Sequence, residues 1–316
     1  MSEPAPPNSR PASSTAAYLE LVRLPNVFTA VADVMMGYLF VREFSAGREA
    51  GVLGLLVAAS GLLYASGVVL NDVFDLRLDS RLRPERPLPS GRISPAAARR
   101  LGWTLMVLGG ASACVAALLS GQPRPAMVAA LLAGCIVLYD ARLKGTQFGP
   151  PAMGTCRMLN VLLGMSVAAG PLRGEHLLVA GAIGTYVAGV TWFARTETRQ
   201  SNRLQLAAGV AVMIVGIALL GWLPEWTDRL VPLLRQQPGR WYLLVAVLGA
   251  MIVWRCLWAV IEPIPLRVQQ AVKHCILSLV FLDAAACYAV RDRYWAFAIL
   301  LLLVPAIYFG RWIRST

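Results

Sequence analysis

The feature that most restricts this chain is the recurrence of apolar runs about 20 residues long, enough for a helix to cross the hydrocarbon core of a bilayer. Residues 51–70 contain no charged side chain at all. Across 316 residues, 57 % are hydrophobic and only 15 % charged, too little charge to clothe a soluble domain. The fold expected is all-α: a polytopic bundle of nine to ten transmembrane helices. Spans are read near 27–43, 51–72, 96–120, 125–141, 151–170, 175–196, 204–223, 240–261, 268–290 and 293–312. The segment 224–240, with Arg229, Arg235 and Arg240, fits an outer loop poorly and leaves nine and ten spans both open.

Basic residues concentrate in alternate loops. Arg77, Arg81, Arg83, Arg86, Arg92, Arg99 and Arg100 follow the second span, Arg142 and Lys144 the fourth, and Arg195, Arg199 and Arg203 the sixth. By the positive-inside rule these loops and the N-terminus face the cytoplasm. Residues 1–16, rich in Pro and Ser, read as a disordered tail without a signal-peptide core, and residues 17–316 as one membrane domain. The net charge of +12 then reflects anionic lipid and an anionic substrate rather than nucleic acid. Six cysteines form no CxxC pair and two histidines stand far apart, which argues against a disulfide framework or a zinc site.

The informative stretch is NDVFDLRLDSRLRPERPLPSG, residues 71–91. Asn71, Asp75 and Asp79 are spaced to stack on one face of a helix continuing from the second span. Two readings stand. The acids form a solvated helix end paired with Arg77, Arg81 and Arg83, or they hold Mg²⁺, which prefers oxygen ligands and shares them with phosphate. Ionisable groups at a membrane boundary favour the second reading, as do Arg86 and Arg92, which suit phosphate oxygens.

This stretch resembles the first signature of the UbiA superfamily of intramembrane prenyltransferases, NDxxDxxxD followed by RPLPSG. VRLPNVFTAVADVMMGY is similar to that family's opening helix, LYDARLKG to its tyrosine–lysine motif, and RMLNVLLG to its fifth-helix segment. The resemblance implies a bundle whose central cavity opens sideways to lipid, with Mg²⁺ holding a prenyl diphosphate for transfer to an aromatic or other lipophilic acceptor. It assigns Asn71, Asp75 and Asp79 to the metal and to catalysis. Arg86, Arg142, Lys144, Arg195 and Arg199 are assigned to the diphosphate, and Asn26, Asp72, Tyr139, Arg157 and Asn160 to substrate. Arg142 and Lys144 follow Tyr139 by three and five residues, where many members place a lysine at four.

The expected second acidic motif, at the end of the sixth span, reads TWFARTETRQSNRLQL, with Glu197 its only acid. Arginines take over part of a second metal's task with Glu197 assisting, or the chain binds or transports an isoprenoid lipid without catalysis, or these arginines anchor the loop. A divergent bacterial UbiA-like branch associated with metabolite transport is similar in this respect, and a bacterial inner membrane is the expected location. CDP-alcohol phosphotransferases are disfavoured, because no paired GxxxDxxxD ladder follows DARLKG. Asp33 and Asp283 lie within spans; Asp283 is expected to pair with Lys273 or Arg267, and Trp192, Trp254 and Trp258 to sit in aromatic belts.

Overall fold

The computed structural model describes residues 14–196 and 201–312. Among them, helices α1 (Ser14–Leu21), α2 (Leu24–Val41), α3 (Arg48–Phe74), α4 (Leu76–Leu82), α5 (Pro95–Ser120), α6 (Arg124–Leu138) and α7 (Gly149–Met165) form the first part of the bundle. Helices α8 (Gly174–Ala194), α9 (Arg203–Gly221), α10 (Pro232–Gln236), α11 (Gly239–Ile261), α12 (Pro265–Val290), α13 (Arg293–Leu300) and α14 (Leu303–Trp312) complete it, with no strand among the described residues. Among the described residues, nine segments are long and apolar enough to cross a membrane. The tenth expected span is α7, only 17 residues long.

Local sequence sets the ends. Pro95 follows Ser94, whose hydroxyl accepts the Ala97 N–H and caps α5; Gly121, at φ +66°, ends that helix. Asn202 caps α9 by accepting the Leu204 N–H. Between α1 and α2, Arg23 adopts φ +46°, a left-handed conformation that costs a non-glycine residue energy.

In lipid, helices gain little from burying apolar surface against one another, so close packing of small residues has to hold them. Helix α7 shows this on two sides. A Cβ on Gly37 would strike the Val161 carbonyl and one on Gly164 the Val34 carbonyl, so α2 and α7 meet backbone to backbone. Gly154 and Gly184 do the same for α7 and α8. Thus α7 is held at the centre of the bundle, and its side chains Arg157 and Asn160 are buried there.

Candidate active site

The expected column of acids does not run along one unbroken helix. Helix α3 stops at Phe74, and Asp75, at φ −88° and ψ 1°, links it to α4. The break divides the acids between two sets of cations. Arg86 Nη1 donates to Asp79 Oδ2 at 2.8 Å and reaches Asp72 Oδ1 at 3.4 Å. Arg23 Nη2 donates to the same Asp72 oxygen at 2.9 Å, which gives the left-handed Arg23 a tertiary reason. Asp75 pairs instead with Lys144, Nζ to Oδ1 2.6 Å, a close ion pair that lacks hydrogen-bond alignment. Burial, with Arg23 alongside, pulls the Arg86 guanidinium below its ordinary pKa, while Asp72 and Asp79 oppose the shift.

Of these groups, Arg23 and Arg86 line a cavity of about 360 Å³. Arg23, Asn71, Arg83, Arg86, Tyr139 and Asp140 form its polar side. Val187 and Val190 of α8, with Ile276 and Leu279 of α12, form an apolar wall. A second, wider recess of about 870 Å³ shares Tyr139, Thr191 and Ala194 with it and adds Lys144 and Arg195. The smaller cavity is lined by Arg23 and Arg86 of the acid–arginine cluster and by Asp140, whereas the lining of the recess includes no carboxylate.

Deeper in the bundle, Arg157 Nη1 donates to Asp33 Oδ2 at 2.5 Å and Nη2 to Thr29 Oγ1 at 2.7 Å. Asn160 Nδ2 donates to Asp33 Oδ2 at 2.9 Å, and Ser60 donates to Asn160 Oδ1 at 2.7 Å. The Arg157 guanidinium lies over the Tyr64 ring, 5.4 Å from its centre. Asp283, fully buried, borders Asp33 and Arg157 in this cluster.

The UbiA prenyltransferase family matches residues 30–274. The chain belongs to that family. A digeranylgeranylglyceryl phosphate synthase of Saccharolobus solfataricus is 33 % identical over 153 residues, 48 % of this chain and 51 % of that one. Such matches span a third to a half of the curated relatives, 34 % for a synthase of Sulfurisphaera tokodaii. In fold, the chain is similar to a solved digeranylgeranylglyceryl phosphate synthase (TM-score 0.63, 20 % identity, 88 % of this chain and 98 % of that one). It is also similar to a UbiA homolog from Archaeoglobus fulgidus bound to DMAPP and Mg²⁺ (TM-score 0.62, 13 % identity, 90 % and 98 %). The chain is therefore an integral membrane protein of the UbiA fold.

Of the residues expected at the site of this UbiA protein, Asn26, Asn71, Arg86, Tyr139, Arg157 and Asn160 line the cavity. Asp72, Asp75 and Asp79 are not among its lining residues; they pair with Arg23, Arg86 and Lys144, of which Arg23 and Arg86 line it. Of the two basic candidates after Tyr139, Lys144 borders the wider recess, whereas the Arg142 side chain is exposed and borders neither cavity. Arg92 is also not free for phosphate, since it ties Glu20 and the Glu85 carbonyl to its own loop. Arg195 reaches the recess, where its Nη2 donates to the Thr146 carbonyl at 2.8 Å. Glu197 and Arg199 lie outside the described residues.

Asp283 corrects a further expectation. Lys273 lies ten residues away on the same helix, roughly 15 Å at 1.5 Å per residue. Asp283 packs toward Asp33 instead, and Arg267 pairs with Glu262 at 2.9 Å. Among the charged and aromatic residues of the cavity, Arg23, Tyr64 and Asp140 escaped the sequence reading. Of these only Asp140 carried a visible signal, an acid ending an apolar span as Asp72 does.

Proposed function

We propose that this UbiA protein transfers a prenyl group from its diphosphate to an aromatic or other lipophilic acceptor within the membrane, with Mg²⁺ at the head group. The observation that carries the reading is one cavity with a face of guanidinium groups, Asn71 and Asp140 and a wall of valine, isoleucine and leucine. The polar face suits a diphosphate and the apolar wall a prenyl chain.

The residues fit the ion. Asn71 and Asp75 offer oxygen donors only, the ligand type Mg²⁺ prefers. Among the described residues no three His, Cys, Asp or Glu side chains already form a metal cage. Mg²⁺ does not need one, because it keeps several waters and is commonly held by one or two carboxylates together with substrate phosphates. Bound there, it would neutralise charge on the leaving diphosphate.

The protein's own groups perform the rest. Arg23, Arg86 and Lys144 now neutralise carboxylates; an entering diphosphate offers these cations a second acceptor, so its charge meets donors that are already oriented. As the allylic C–O bond breaks, the electron pair leaves with diphosphate. The apolar wall of α8 and α12 keeps water from the carbocation until the acceptor attacks. The arginine-rich loops beside the site support a cytoplasmic orientation for this end.

The test is turnover by purified protein with labelled prenyl diphosphates of several lengths and a panel of lipophilic acceptors. A lipophilic product formed with Mg²⁺ and absent with EDTA is the expected result. Saturable diphosphate binding without product from any acceptor would favour a second reading, a non-catalytic isoprenoid-binding or transport component. What favours that reading is the pairing of Asp72, Asp75 and Asp79 with cations, together with the single acid of the second motif.

A further inference from the structure

The end of α6 carries a feature that the reading above leaves unused. Its last turn, Tyr139–Leu143, is π-helical. Such turns insert an extra residue, re-aim the side chains around them and occur often at functional sites. Here the turn buries Asp140, 4 % exposed, at the cavity lining. One carboxylate oxygen, Oδ1, accepts a hydrogen bond from Asn71 Nδ2 at 2.8 Å. The other, Oδ2, is buried and has no hydrogen-bond partner among the described residues. An unmade bond of this kind costs about 1–3 kcal/mol or more for a charged group, so it calls for an explanation.

The surroundings supply one. Asp75, Lys144 and Arg23 are the charged neighbours of Asp140, and Asn71 links it to the first acidic motif. Asp72 and Asp79 are held by guanidinium groups and Asp75 by an ammonium, whereas Asp140 Oδ2 points to no donor. A carboxylate oxygen of this kind, beside a carboxamide and a second carboxylate, is what a small divalent cation takes as a ligand. The end of α8, where a second acidic motif is expected, has only Glu197 to offer.

We propose that Asp140 is a ligand for the divalent cation, completing with Asn71 and Asp75 a site at the polar face of the cavity and supplying charge that the second motif lacks. The inference rests on the reading of the cavity as a cation-assisted diphosphate site.

The experiment measures Mn²⁺ binding to the full-length protein in detergent, by the paramagnetic resonance signal of free Mn²⁺, with inorganic diphosphate present. Thermal unfolding with and without Mn²⁺ accompanies it. Asp140→Asn keeps an oxygen for the Asn71 donor and removes only the charge. It is expected to weaken Mn²⁺ binding about tenfold or more and to shrink the Mn²⁺-dependent rise in Tm. Asp140→Glu retains most of both. In metal-free buffer Asp140→Asn should melt no lower than the unaltered chain, which separates lost ligation from lost folding. If Asp75→Asn weakens binding and Asp140→Asn does not, the inference on Asp140 is overturned and the cavity reading stands. If neither change matters, or the unaltered protein binds no Mn²⁺, both are overturned.

Discussion

The two ends of the bundle spend their arginines differently. At the end bearing the cavity, Arg23 and Arg86 pair with the carboxylates of Asp72 and Asp79, and Lys144 pairs with Asp75. At the opposite end the shortest bonds of the guanidinium groups go to backbone carbonyls at or just beyond helix ends, while Arg42 and Arg291 add longer ion pairs to Glu49 and Glu43, both at 3.4 Å. Arg42 donates to the Val167 carbonyl at 2.8 Å, Arg48 to Leu119 at 2.6 Å, Arg124 to Gly170 at 2.6 Å and Arg291 to Leu39 at 2.7 Å. The last carbonyls of a helix have no partner within it, so these arginines close helix ends that lipid cannot solvate. A count of charges treats both ends alike. The partners separate them: side-chain acids that can exchange one cation for another, against carbonyls that need a fixed donor. Changes at the first end should therefore cost function and spare stability, and changes at the second the reverse.

The largest effect is expected at Asp75. Asp75→Asn removes the charge of the proposed metal ligand and leaves the buried Lys144 ammonium facing a carboxamide oxygen. Prenyl transfer should fall by about 10³-fold, on the scale of losing a main electrostatic group in an active site, while Tm in detergent stays close to that of the parent. Asp79→Asn should act in the same direction. Retained turnover in both variants would sink the metal assignment.

Next comes the mid-bundle cluster, which belongs to neither end. Arg157 is the cation beside Asp33 and Asp283, both fully buried. Arg157→Ala strands buried carboxyl groups, a loss on the order of 3 kcal/mol, read as a lower Tm and poorer recovery from the membrane. Adding Asp33→Asn should restore part of that stability. If the single variant melts like the parent, the cluster has no structural weight.

The sequence made the membrane spans legible because lipid forces every backbone polar group into a helix and leaves long apolar runs as the record. Asn71, Asp75, Asp79 and Arg86 were legible because charges at the end of such a run are costly and stand out. Their partners were not. Arg23 meets Asp72 across 49 residues, and Lys144 meets Asp75 across α4, α5 and α6; neither spacing leaves a periodic trace. Arg23 also depends on a left-handed φ that no glycine announces. Asp140 and Lys144 were displaced from simple α-helical register by the π-helical turn, which is why Arg142 competed with Lys144 in the reading. Asp283 was assigned to cations of its own helix, whereas glycine contacts bring α2 and α7 close enough to offer Asp33 and Arg157 instead.

Arg195 should give an intermediate result. It lines the recess beside Lys144, yet its Nη2 already holds the Thr146 carbonyl in the turn before α7. Arg195→Ala is expected to weaken diphosphate binding about three- to tenfold, below 1.4 kcal/mol, and by more than Glu197→Gln does. Titration of the two variants with inorganic diphosphate decides whether the arginine carries the greater share. An equal or smaller loss for Arg195→Ala would confine that residue to holding the turn.

The smallest effect tests the far end. Arg124 donates to the carbonyls of Gly170 and Ala168 beyond the last turn of α7, and to Gln122. Its side chain is partly exposed, so water can replace some of these bonds in Arg124→Ala. The net loss should be about 1 kcal/mol, the ordinary worth of an intramolecular hydrogen bond, giving a drop of a few degrees in Tm. Turnover and Mn²⁺ affinity should not change, since Arg124 and its carbonyl partners border neither cavity. Should Arg124→Ala instead lower turnover with Tm intact, the division of labour between the two ends fails. The end of α7 would then have to transmit its position to Arg157 and Asn160, one to two turns back along the same helix.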